Sequence, residues 1–349
     1  MTPTATSTGT TRQVAVTRTR SRRAVGLLPV VLLLALVMVA SVAVGARTIS
    51  PGDVFRALIH SDGSDNAVVV RDLRVPRTLM GLTVGAALGL AGALMQALTR
   101  NALADPGLLG ISAGATAAVV SGVGLLGRHS LMLSVWFAFL GAAAAASVVY
   151  VLGSREPGGA SPVRVVLAGA AVTAVLNAYI SARVLLDPQT LERYRHWSVG
   201  SLAGSTMETV VGIWPFLIAG VVLALALGGP LNALALGDDT GRTLGSRPGR
   251  TRALGMLAVT LLCGSATAAV GPIAFVGLAV PHVVRVITGP DHRWLLPYCM
   301  LVSPILLLGC DVLGRLIARP MELEVGIVTA FVGAPVFIFL VRRRKIVQL

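Results

Sequence analysis

Lysine is nearly missing from this chain. Of its 29 basic residues only Lys345 is a lysine, and the others are arginines. A P-loop needs a lysine beside the phosphates, and one so near the final residue, Leu349, cannot serve. The chain therefore carries no P-loop of its own. Charge is scarce as well: 13% of residues are charged and 55% hydrophobic, where soluble domains average about 25% charged. So few charges cannot cover that much apolar surface in water, whereas a membrane protein needs no such cover. Cysteine is limited to Cys263, Cys299 and Cys310. An odd number, all inside apolar runs, excludes a disulfide framework and reads as small core residues. There is no GxSxG, no HExxH and no cysteine cluster. No catalytic residue, metal site or cofactor is expected.

What the chain does have is long apolar stretches and a net charge of +14. A basic balance can signal nucleic acid. Here the arginines are scattered between apolar runs, so anionic headgroups and acidic protein partners are the expected counterparts, with no nucleic acid. Residues 1–25, rich in Ser, Thr and Arg, read as a disordered tail. The uncharged run Gly26 to Ala46 exceeds a signal-peptide core and can cross a ~30 Å hydrocarbon layer at about 1.5 Å per residue. Further runs predict helices near 78–98, 107–126, 131–153, 165–186, 209–228, 253–270, 271–288, 294–316 and 323–341. Ten spans make an all-α polytopic membrane protein. Pro281, Pro297, Pro304 and Pro335 predict kinks.

With the N-terminus inside, most of the 29 Lys and Arg fall on inside segments, so both termini are expected in the cytoplasm. Against that rule, Arg71, Arg74 and Arg77 of "RDLRVPRT" land outside, at the mouth of the second span. Snorkelling to lipid phosphates is one reading of them. Docking of an acidic partner is the other.

Several segments have both a plain and a functional reading. In 78–98 the residues Gly81, Gly85, Gly89, Ala93 and Ala97 recur every fourth place and form one stripe, which predicts close helix packing. "NALADPGLLG" (101–110) reads equally as a connection or as an irregular gate lining a cavity. "ALGDDTGRTLGSRPGRTR" (235–252) is a solvated loop or a docking surface for a soluble partner. His282 and Arg285 share a helix face but supply too few ligands for a metal. Asn177, a polar group at membrane depth, bonds a neighbouring helix or lines a pathway. Asp311 is the main carboxylate well inside a span, which is thin support for proton coupling.

Three long segments bring a family into view: "LRVPRTLMGLTVGAALGLAGALMQALTRNALADPGLLGISAGA", "GPIAFVGLAVPHVVRVITGPDHRWLLP" and "ELEVGIVTAFVGAPVFIFLVRRR". In this order they resemble the FecCD-type, BtuC-like permeases, the membrane subunits of ABC importers for ferric siderophores, haem and cobalamin. The resemblance covers about residues 27–345 and implies a ten-helix permease domain over 26–345. It also implies a second permease subunit (identical or paralogous), a pair of ATP-binding subunits in the cytoplasm, and an extracytoplasmic substrate-binding protein. The setting would be the plasma or inner membrane of a prokaryote. By the same resemblance Arg74, Arg77 and Arg315 dock the binding protein, with Arg71 and Arg319 as possible additions. Asn101 and Leu103 form the cytoplasmic gate. Asp238, Asp239, Arg242, Leu244 and Gly245 contact the ATPase. Two departures stand out: Ala102 and Glu324 replace prolines usual in the family. The rival class is an ion-coupled secondary transporter working alone.

Overall fold

In the computed structural model the described residues are 9–45, 47–60, 63–126, 131–154, 162–243 and 245–342. Among them every regular element is helical. The helices are α1 (Gly9–Ala43), α2 (Pro51–Ile59), α3 (Asp65–Val68), α4 (Val75–Thr99), α5 (Ile111–Leu126), α6 (Leu131–Ser154) and α7 (Pro162–Leu186). They continue with α8 (Pro188–Trp197), α9 (Met207–Ala226), α10 (Gly228–Ala235), α11 (Asp238–Thr243) and α12 (Pro248–Val270). The last three are α13 (Val276–Thr288), α14 (His292–Ile317) and α15 (Val325–Arg342). Among the described residues seven stretches are long and apolar enough to cross a membrane, and α5, α13 and α15 contain shorter apolar helices. Each of the ten expected spans thus has a counterpart, and the chain is a multi-span membrane protein.

The bundle is built around α4. Its apolar window is 78% buried, against 11% for α1 and 17% for α7. The small stripe explains how α4 can be so enclosed. A Cβ on Gly85 would lie 2.6 Å from Cα of Pro304, and one on Gly89 would collide with Ser303. On another face, a Cβ on Gly92 would strike the backbone of Gly277. Small residues therefore let α14 and α13 approach to backbone contact, which is how packing holds helices together where lipid removes the hydrophobic drive.

Three boundaries differ from the sequence expectation. Helix α1 begins at Gly9, inside the stretch read as a tail, since no proline or glycine interrupts 10–25 once the apolar run has nucleated the helix. The expected helix 107–126 splits: Pro106–Leu109 is one 3₁₀ turn, closed by Gly110 at φ 70°, before α5 starts. The break expected between 253–270 and 271–288 is present at Gly271, but the second helix starts only at Val276. Gly271 has φ 78° and Phe275 φ 68°, left-handed values a helix cannot continue through. The freed backbone is partly satisfied locally, where Ser201 N–H donates to the Val270 carbonyl at 2.8 Å. Irregular backbone at membrane depth is tolerated only with such partners.

Candidate functional site

Charged side chains gather at the two ends of α4. At its start, the chain passes from α3 through a π-turn, Val69–Arg74, into Val75. Turns of this width often mark functional positions. Arg74 leaves this region toward the end of α1, whose last carbonyls have no intrahelical donors. Arg74 Nη1 donates to the carbonyls of Val42 (3.0 Å) and Ala43 (2.7 Å), and Nη2 to that of Arg47 (2.6 Å). Arg315, from α14, donates through Nη1 to Ser41 and Val44 carbonyls at 2.9 and 2.7 Å. Arg319 Nη2 reaches the Gly45 carbonyl at 2.9 Å. Three guanidinium groups thus cap one helix C-terminus, where the peptide dipoles favour positive charge. Gly45 is needed for this, since a Cβ there would sit 2.6 Å from Arg74 Nη2.

Arg77 turns instead to carboxylates. Its Nε and Nη2 bind Asp311 at 3.1 and 2.7 Å, and Nη1 binds Glu322 at 2.6 Å. Asp311, whose side chain is fully buried, also binds Arg315 Nη2 at 2.7 Å. A buried carboxylate held between two guanidinium groups is paired well enough to tolerate removal from water. Above this knot lies a cavity of about 350 Å³ whose lining includes Arg47, Arg74, Arg77, Arg315 and Glu322. The three arginines singled out by resemblance therefore meet in one positively charged cup. Arg74 and Arg315 are buried there with internal partners, and Arg77 is 12% exposed at the side chain. Arg71 lies apart from that cavity lining; it caps α2, donating to the Ala57 and Leu58 carbonyls.

At the other end, Thr99 is the last residue of α4 and Arg100 follows with φ 48°, ψ 34°. The turn beyond it is stabilised locally: Asn101 Oδ1 accepts from Leu103 N–H at 2.9 Å, and the Asn101 carbonyl from Ala104 N–H at 3.1 Å. Asn101 and Leu103 are both exposed at this turn. Asp105 starts the next turn, accepting from Gly107 N–H at 2.8 Å. His282 Nε2 lies 2.7 Å from the Ala102 carbonyl, so its role here is to hold the turn.

Beside the turn sit α10 and α11. Asp238 accepts from Arg100 Nη2 at 2.6 Å and from both terminal nitrogens of Arg252 at 2.9 Å. Partial burial alone would raise the Asp238 pKa. The hydrogen bonds and charges of Arg252 and Arg100 outweigh it and hold the carboxyl below its usual range. Asp239 and Arg242 face solvent and approach each other at 3.3 Å. Gly245 has φ 79° and donates to the Arg242 carbonyl, closing the turn after α11. Leu244 lies outside the described residues. The unit is rooted in α14: Asn232 Nδ2 donates to Asp291, and its Oδ1 accepts from His292 N–H. Asn177, by contrast, is exposed on α7, a helix with little burial in this single chain.

Sequence reasoning did not find Arg100 and Arg252 as partners of Asp238, nor Ser41 and the α1 carbonyls as partners of the outer arginines. These pairings join residues far apart in the chain. The only local signal was the arginine density itself.

A many-helix membrane bundle with charged side chains gathered at both ends of its central helix has the architecture of a transport permease, and the comparisons with known proteins place it in a class. A model of the FecCD transport family matches residues 32–343. The ferric enterobactin transport system permease of Escherichia coli K12 is 49% identical over 323 residues, covering 92% of this chain and 96% of that protein. The Fe(3+)-citrate import system permease of Bacillus subtilis 168 is 43% identical over 305 residues, covering 87% and 90%. A solved metal-chelate type ABC transporter in an inward-facing conformation superposes with a TM-score of 0.81 at 26% identity, covering 91% and 98%. The chain belongs to the FecCD transport family, and it is the permease subunit of an ABC importer.

Proposed function

We propose that this chain conducts a ferric siderophore across the plasma membrane, driven by ATP hydrolysis on separate subunits. The observation that carries the substrate class is the 49% identity, across nearly the whole chain, to a permease named for ferric enterobactin. The chain itself performs no chemistry. Its arginine end faces out of the cell, and its termini and α11 face the cytoplasm. This orientation is supported by the excess of arginines beside α11.

Outside, the cup containing Arg74, Arg77 and Arg315 receives acidic side chains of the substrate-binding protein. Support comes from its geometry: more guanidinium than carboxylate lines one concave site. Arg74 and Arg315 also brace α1, so they contribute field more than direct contact. Inside, Asp239, Arg242, Leu244 and Gly245 meet the ATPase pair, with Asp238 seating the helix. ATP-driven closure moves α10 and α11 as a rigid lever. Asn101 and Leu103 form the gate. Asn177 lines a pathway shared with a second permease subunit, because a polar side chain exposed at this depth is costly against lipid.

Uptake of radiolabelled iron, presented as a ferric siderophore, tests this in cells lacking the chain. Restoring the chain should restore uptake, and ATP depletion should stop it while an ionophore should not. Uptake that follows the ion gradient would favour a secondary transporter. Haem or cobalamin uptake in place of iron would correct the cargo.

A further inference from the structure

The lever and the gate are joined by one side chain. Arg100 Nη2 lies 2.6 Å from the Leu234 carbonyl and 2.6 Å from Asp238 Oδ1. The first partner belongs to α10 and the second opens α11, so the guanidinium spans the bend of the lever. The backbone of Arg100 is itself the first residue past α4, in a left-handed conformation that few non-glycine residues adopt. Asn101 N–H donates to the Gln96 carbonyl at 3.2 Å and Arg100 N–H to that of Ala97 at 3.4 Å, which fixes how the gate turn leaves the helix. There is one peptide bond between this anchored residue and Asn101.

The far side of the turn is tied elsewhere. His282, on α13, holds the Ala102 carbonyl. Gln96 Nε2 donates to the Leu278 carbonyl at 3.2 Å, and Arg285 donates to Gln96 Oε1 at 3.1 Å. The last turn of α4 is thereby fastened to α13, while the residue after it is fastened to the lever. A displacement of α11 would pull on Arg100 against the hydrogen bonds that tie the last turn of α4 to α13.

We infer that Arg100 is the positioning residue that transmits lever movement to the Asn101–Leu103 gate. The inference rests on the reading of α11 as the ATPase lever given above. Arg100 touches neither nucleotide nor cargo. Its partner carboxylate offers an internal contrast, since Arg252 grips the same Asp238 from α12 without joining the gate turn. Arg252 therefore seats the lever, and Arg100 alone of the two connects it onward.

The test uses the full importer complex, permease with its ATPase pair, in lipid vesicles. The native cysteines Cys263, Cys299 and Cys310 are buried, so Leu103→Cys gives a reachable thiol at the gate. Its labelling rate by a water-soluble maleimide, with and without ATP plus vanadate, reports gate movement. Arg100→Gln should shrink the nucleotide-dependent change in labelling by about tenfold, with ATP hydrolysis and ATPase binding retained. Arg100→Lys should restore part of it, because an ammonium can still reach Asp238. Arg252→Gln should lower the thermal stability of the complex, and the complexes that remain should still show the labelling change. Equal loss of response in both variants would overturn the inference and leave only a seating role. A full response in Arg100→Gln would overturn it outright. No nucleotide response in the Leu103→Cys parent would remove the gate assignment, and this inference with it. Failure of the lever reading is distinct: ATPase binding would then survive Asp239→Arg.

Discussion

The two ends of α4 use the same device at different depths. At each end one carboxylate is gripped by two arginines, one of them near the end of α4: Asp311 by Arg77 and Arg315, Asp238 by Arg100 and Arg252. The Asp311 side chain is fully buried, whereas that of Asp238 is 29% exposed. Burial decides what each knot can do. A dry ion triad cannot be opened without leaving a charge unpaired in a low dielectric, so the outer knot is a fixed brace. A half-wet pair is screened and contributes little, so the inner knot can shift between arrangements at small cost. The end proposed to receive a docking protein is rigid, and the end proposed to move is held loosely.

The sharpest way to break this comparison is to delete both carboxylates and compare the losses. Asp311→Ala leaves Arg77 and Arg315 facing each other and should cost about 3–5 kcal/mol, the usual penalty for stranding a buried charge. In detergent this would be read as a large drop in thermal midpoint or as failure to accumulate. Near-native stability would mean that Glu322 and the α1 carbonyls suffice for both guanidinium groups.

Asp238→Asn should cost about 1 kcal/mol or less, because solvent screens the pair. The same site has a defined pH response. The folded-state pKa of Asp238 lies below the ordinary 3.8. Its extra stability is therefore fully present above about pH 4 and is lost only as pH falls through that depressed value. Thermal midpoints from pH 5 to 8 should show no pH dependence from this group, and Asp238→Asn should remove part of the steep fall at acid pH. A stability change near pH 6 that disappears in the Asn variant would contradict the assigned pairing.

Which of these features could be read from the sequence follows from distance along the chain. Helices were legible because each apolar run is contiguous, and the Gly81–Gly85–Gly89 stripe was legible because packing repeats every helical turn. The knots were not. Arg77 and Asp311 are 234 residues apart, and Arg100 and Asp238 are 138 apart. No local periodicity links them, and family resemblance marks positions without saying which face inward. It grouped Asp238 with Asp239 as equivalent contacts. The structure separates them, since Asp238 is tied to α4 and α12 while the Asp239 side chain is 99% exposed. Likewise Arg74 and Arg315 were assigned to docking, and their capping of α1 could not be foreseen, because a helix end becomes visible only once its carbonyls have a place.

The smallest effects are expected at the exposed rims, and there the comparison turns from stability to association. Arg47 is exposed beside the outer cavity, and Asp239 and Arg242 project from the lever. The Asp239–Arg242 pair, 3.3 Å apart and largely in solvent, should contribute less than about 0.5 kcal/mol to stability. Asp239→Ala with Arg242→Ala should therefore leave the thermal midpoint unchanged while weakening ATPase association. Arg47→Glu should also leave the fold intact, because among the described residues the contact of Arg47 runs through its carbonyl, to Arg74. It should slow association of the binding protein by about tenfold at low salt and much less at high salt, as expected for steering by rim charge. A loss independent of ionic strength would mean that Arg47 makes a desolvated contact. No loss at any salt would mean that the acidic partner approaches from the Glu322 side of the cup, where Arg77 is the only guanidinium bonded to that rim carboxylate among the contacts described.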